Sequence, residues 1–149
     1  MRDITILKGL YATLEALQPN VPIILPNEPI ASEIASNELF FEIANTGRTW
    51  SRETEESTLS TTVCSIIING RQNRGIGAVD KIADALLSYF APLNPSLRNG
   101  FTFIDETSDV ISRAYVTEVS RSESGIHNGR FKVTLFITLE IFEEKHNGW

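Results

Sequence analysis

Apolar positions along the chain switch between helical and strand spacing, and the switches mark its elements. Ile4, Leu7, Leu10, Tyr11, Leu14 and Leu17 recur every three or four residues, which predicts an amphipathic helix. Asp3 is placed to cap its first turn, and Gln18-Pro19-Asn20 ends it. The apolar segment Val21–Ile30 carries Pro22, Pro26 and Pro29, each lacking an N–H for a ladder. It therefore reads as an extended crossing or an edge strand. Leu39–Ala44 is a strand rich in aromatic and branched residues, and Thr46–Ser57 is a long polar connection. The strand Leu59–Ile68 has two apolar faces: Leu59, Val63 and Ile67 on one, Cys64, Ile66 and Ile68 on the other. Either it is central in a sheet or its second face meets another subunit.

After the glycine-rich turn Asn69–Gly77, a second helix sets Val79, Ile82, Ala83, Leu86, Tyr89 and Phe90 on one stripe. Asp80 lies in its first turn, where the helix dipole favours a carboxylate, and Pro92 and Pro95 stop it. The last third reads as strands at Phe101–Ile104, Val110–Val119 and Phe131–Ile141. Ser120–Asn128 reads as a connection, and Asn128-Gly129 is a hairpin signal. The final strand puts Phe131, Val133, Leu135, Ile137, Leu139 and Ile141 on one side. Lys132, Thr134, Thr138 and Glu140 lie on the other, interrupted by Phe136. At ~3.3 Å per residue it runs ~40 Å, about the width of the domain.

The expected architecture is α+β in the order α-β-β-α-β-β-β. Two helices pack on one face of a mostly antiparallel sheet. One domain spans residues 1–149, with a polar tail from about Glu143.

Composition narrows the function. The 149 residues are 42% hydrophobic and 21% charged, enough for one core without disulfides or metal. The net charge of −6 with scattered basic residues argues against a general nucleic-acid-binding surface. Neither a signal peptide nor a bilayer-spanning run is expected, which predicts a soluble protein made in the cytoplasm. Cys64 is the only cysteine, so it forms no internal disulfide, and its apolar setting predicts a buried structural thiol.

No catalytic constellation stands out. His127 and His146 lie in a hairpin loop and a polar tail, and no G-x-S-x-G elbow occurs. Glu53, Glu55 and Glu56 cluster without metal-ligand spacing, so no metal or cofactor is expected. The segment Arg71–Gly77 combines a strand end, glycines, two arginines (Arg71 and Arg74) and a helix N-terminus, as an anion site would. It lacks the Lys-Ser/Thr pair of a P-loop and the third glycine of the dinucleotide fingerprint. The plainer reading is a turn needing positive φ before the helix. A small phosphate- or nucleotide-binding domain is the alternative from this segment. Trp50, between Arg48 and Arg52, either folds back on the domain or anchors a partner.

Several of these features together resemble the tail terminator and tail-completion proteins of long-tailed bacteriophages. They are the opening helix, the crossing with Pro26-Asn27-Glu28-Pro29, and a strand–polar loop–strand pair. Gly75-Ile76-Gly77-Ala78-Val79-Asp80-Lys81-Ile82-Ala83 then opens the second helix, Phe90 and Pro92 end it, and a hairpin of Val110–Val119 with Phe131–Ile141 closes the chain. The likeness spans Ile4–Phe142 as a pattern, without a specific signature.

The resemblance implies a structural, non-enzymatic virion protein of the tail's neck region, assembled in the bacterial cytoplasm. Such proteins cap the tail tube as a homo-hexameric ring, stop its polymerisation and offer a surface to the head-tail connector or neck protein. DNA passes the lumen without specific binding, and no membrane is involved. The loop between the first strands, here Thr46–Ser57, orders on assembly. Interface candidates are Arg48, Trp50, Arg52, Arg71, Arg74 and Phe136. A head-side neck protein of the same fold is a second reading.

Overall fold

The computed structural model describes residues 3–26, 38–45, 47, 49–53, 57–72, 75–91, 101–104, 111–127 and 129–144. The elements are α1 (Asp3–Leu17), β1 (Ile23–Ile24), β2 (Phe40–Asn45), β3 (Thr49–Glu53), β4 (Ser57–Asn69), α2 (Gly77–Phe90), β5 (Phe101–Ile104), β6 (Ile111–His127) and β7 (Arg130–Glu144). They form one seven-stranded sheet in the order β1-β2-β4-β7-β6-β5, with β3 also paired to β4.

The class is α+β, but the expected order α-β-β-α-β-β-β is wrong. Two further strands are present, and the sheet is mixed. β1 comes from the proline-bearing crossing and runs parallel to β2, held by the Phe41 N–H donating to the Pro22 carbonyl at 2.9 Å. β3 lies inside the segment expected to be a polar loop. Both β2 and β3 run antiparallel to β4, at Asn69–Cys64 and Thr61–Thr58 respectively. They act as one interrupted strand along a single edge of β4. Backbone hydrogen bonds can hold such a strand whatever its side chains, which is why a polar sequence concealed it.

The expected connection Ser120–Asn128 is also mostly strand. β6 continues to His127 with shifts in register at Val116/Glu118 and Glu123/Gly125. These bulges break the alternation that a reading by period depends on. Gly125 (φ 78) takes up the second, and Gly129 (φ 76) closes the β6–β7 hairpin. The cap expected from Asp3 and the stops expected from Pro92 and Pro95 lie outside the described side chains and residues.

β7 organises the core. It pairs with β4 from Lys132 to Glu144 without a register break, and with β6 on its other side. Period-two geometry points Val133, Leu135, Ile137, Leu139 and Ile141 to one face, and all five are buried. Phe41 and Ile43 from β2, and Cys64, Ile66 and Ile68 from β4, share that face. Over it lie both helices, α1 with Ile6, Leu7, Leu10 and Leu14 and α2 with Val79, Ala83, Leu86 and Phe90. Each buried aliphatic or aromatic side chain contributes about 1.5–3 kcal/mol.

The turn from β4 into α2 works differently from the sequence expectation. None of Gly70, Gly75 and Gly77 adopts positive φ. Gly70 is needed for proximity: a Cβ there would sit 2.7 Å from Val79 Cγ2 and 3.2 Å from the Phe131 carbonyl oxygen. The absent side chain lets α2 seat directly on the β4–β7 end. Gly70→Ala should therefore destabilise the fold by about 1–3 kcal/mol. Gly75→Ala and Gly77→Ala, whose added Cβ meets nothing within 4 Å, should change stability little. Chemical denaturation midpoints of the three variants test this, and equal losses at all three would refute the close-approach account.

Candidate interaction surface

The sheet face opposite the helices is built by the same register. Alternation on β7 sends Thr134, Phe136, Thr138, Glu140 and Phe142 outward, and on β4 Leu59, Thr61, Val63, Ser65 and Ile67. Across the strands Phe136 lies between Ser65 of β4 and Ser120 of β6. With a small side chain on each flank, the ring stands proud of the sheet and is 39% exposed. Phe142 is 37% exposed one turn of the pleat beyond Glu140, opposite Leu59. Val63 and Ile67 are half-buried in the same face. No helix among the described residues covers it. The two apolar faces of β4 thus have separate reasons: one is core, the other belongs to this outer surface.

The other interface candidates do not join Phe136. Trp50 is 52% exposed on β3, in register with Ser60, whose side is that of the helices. Its expected place in a polar loop is corrected to a strand. Arg52 lies on β3, but its side chain, with those of Glu53 and His127, is outside the described set. Arg48, Arg74, Glu55, Glu56 and His146 are outside the described residues. Arg71 is exposed just past the end of β4, where a shallow cleft of about 360 Å³ is lined by Arg71, Gly75, Gly77, Ala78 and Val79. The α2 N-terminus carries no side-chain cap, its preceding residue being Ile76. Cys64 is a buried free cysteine on the core face. Among the described residues, no group of three or more His, Cys, Asp or Glu could hold a metal ion. No helix there is long and apolar enough to cross a membrane.

Two arginines that the sequence did not single out fix the geometry of the surface. Arg130, at the start of β7, donates from Nη1 to the Glu38 carbonyl at 2.6 Å and to the Gly70 carbonyl at 3.0 Å. Its guanidinium also lies 5.0 Å from the centroid of the Phe40 ring. It thereby ties β7 to the ends of β2 and β4. Arg121 of β6 faces the helices and pairs with Asp80 at 2.6 Å, Glu123 at 3.0 Å and Asp84 at 3.5 Å. The hydrogen bond with Asp80, reinforced by the nearby carboxylates, raises the Arg121 pKa above its already high ordinary value. Asp80, read as a dipole partner in the first turn, has this second role of clamping α2 to the hairpin. Neither arginine was legible, because Asp80 and Asp84 for the one, and the Glu38 and Gly70 carbonyls for the other, are remote in the chain.

No family model and no curated protein matches the chain. One solved structure covers 100% of this chain and 99% of its own, at 15% identity and a TM-score of 0.47. A likeness at that level carries no argument about function.

The clamp can be tested directly. The carboxylates it meets are well exposed, so water screens the pairs and each is worth at most about 1 kcal/mol. Arg121→Gln should lower stability by about 1–2 kcal/mol in low salt, with the deficit shrinking in 1 M salt. A loss that does not depend on salt would mean the residue acts by packing alone.

Proposed function

We propose that this chain is a structural, non-enzymatic protein of a bacteriophage tail that caps the tail tube as a ring of identical subunits. By this reading it stops tube growth and presents a new surface to the head-side connector. The observation that carries the reading is the outer sheet face. Phe136 and Phe142 stand exposed there beside half-buried Val63 and Ile67, with no covering element among the described residues. Single exposed apolar residues are ordinary, and what sets these apart is that they share the sheet face that no helix covers among the described residues. The resemblance of the sequence to tail terminators supplies the kind of contact: further copies of the same chain, and the last ring of tube protein.

The mechanism is one of shape. A sheet backed by two helices is a stiff plate, since its side chains interdigitate at crystal-like density. Plates joined through identical contacts close into a ring when the rotation between neighbours divides a full turn. The net charge of −6 per subunit discourages DNA from adhering as it passes, within the ~8–10 Å over which salt leaves the field unscreened. Assembly would take place in the bacterial host, and the finished ring would sit at the neck of the virion.

Sedimentation velocity of the purified chain over rising concentration tests the reading. Wild-type protein should shift from monomer to one discrete larger species. Phe136→Ser should hold the monomer, with its unfolding free energy within about 0.5 kcal/mol of wild type because the ring is exposed. A chain that stays monomeric throughout, even with tube protein added, would remove the basis for a ring.

A further inference from the structure

The outer face closes up at one end, where β2, β4 and β7 come level. By alternation Phe40 and Glu42 of β2, Asn69 of β4, and Arg130 and Lys132 of β7 all stand on this face. Phe40, with the Arg130 guanidinium 5.0 Å from its ring centroid, is only 4% exposed, and Asn69 opposite it is fully buried. A buried carboxamide ordinarily has both its polar atoms paired. That of Asn69 does not. Its Nδ2 donates to Glu42 Oε1 at 3.2 Å and to the Ile67 carbonyl at 3.5 Å, while its Oδ1 has no hydrogen-bond partner. Turning the amide over would set Oδ1 against the Glu42 carboxylate, acceptor facing acceptor, so the orientation is fixed.

Lys132 stands directly across from Asn69 on β7. The Gly70 N–H donates to the Phe131 carbonyl at 2.8 Å, which makes Gly70 and Phe131 a hydrogen-bonded pair and Asn69 and Lys132 the adjoining non-hydrogen-bonded one. Side chains approach most closely in such pairs, with Cβ atoms ~4.5–5.5 Å apart, inside the reach of a lysine. On its other flank Lys132 meets Gly125, which has no side chain to engage it. The lysine is half-buried, and its amine has no ion-pair partner among the described residues.

We infer that Lys132 and Asn69 join covalently, Nζ to Cγ, in an isopeptide bond that Glu42 promotes. The Lys132 amine, freed of its extra proton, attacks Asn69 Cγ. The Nζ–Cγ bond forms, the Cγ–Nδ2 bond breaks, and Nδ2 departs as ammonia. The Glu42 carboxylate, already against Nδ2, passes the proton shed by the attacking amine to the leaving nitrogen. The net change turns an alkylammonium and a carboxamide into a secondary amide and an ammonium ion, with nothing oxidised or reduced. Burial of Asn69 keeps water, the competing nucleophile, away from Cγ. The bond ties β4 to β7, the pairing on which the core rests, and constrains the unfolded chain as any cross-link does. The inference does not depend on the ring reading.

Mass spectrometry of the intact folded chain tests the bond. Wild type, purified and incubated at neutral pH, should weigh one ammonia less than its sequence, and proteolysis should release a branched peptide containing both Asn69 and Lys132. Lys132→Arg and Asn69→Ala should give no branched peptide. Glu42→Gln should keep the wild-type circular dichroism yet form the bond on the order of a hundredfold more slowly. Should a variant fail to fold, the wild-type peptides decide alone. A wild-type chain that retains its full mass overturns the proposal. So does a loss of ammonia without the branched peptide, which marks cyclisation at an Asn-Gly pair such as Asn69-Gly70. A folded Glu42→Gln that cross-links at the wild-type rate overturns the part given to Glu42.

Discussion

The fold depends on the unbroken pairing of β7 with β4. Because side chains along a strand alternate strictly, seating Val133, Leu135, Ile137, Leu139 and Ile141 under the helices fixes every other residue of β7 on the far face. A slip of one residue would turn Lys132, Thr134 and Glu140 toward the helices and the whole aliphatic row away from them. The same register that makes the core thus obliges Phe136 and Phe142 to face outward. Core and contact surface are two sides of one constraint.

The helices make that constraint rigid. α2 sits close enough to the β4–β7 end to need Gly70, and Arg121 ties it sideways to β6. Arg130 performs the corresponding task at the opening of β7 by bridging to β2 and β4. What results is a plate with one face sealed, one face open, and a long margin along β6 that β5 only partly covers. A plate of this kind lends itself to repetition.

Legibility in the sequence followed side-chain periodicity. The two helices and β7 are evident because burial on one face imposes a period, and Phe136 stands out as a break in it. β3 and the far half of β6 were missed because they are held by backbone bonds. Thr49–Glu53 has a single apolar residue, Trp50, and so no alternation to read, and the bulges near Glu118 and Gly125 put β6 out of phase with itself. β1 is too short for any pattern. Phe142 lies past Ile141, the last residue of the aliphatic row, and next to the run of charges Glu143-Glu144-Lys145. The contacts of Arg121 with Asp80 and Asp84 join residues 37 or more positions apart, and those of Arg130 tie a side chain to distant carbonyls, so no local pattern encodes them.

The central claim is that this chain ends a tube, and growth of the tube measures it most directly. Tail-tube protein should be polymerised in vitro, with and without this chain, and tube lengths measured by electron microscopy. The account predicts that substoichiometric amounts of the chain stop elongation, leaving short tubes with one added ring at a single end. Tubes that grow to the same length with the chain present, with no ring at either end, would contradict it.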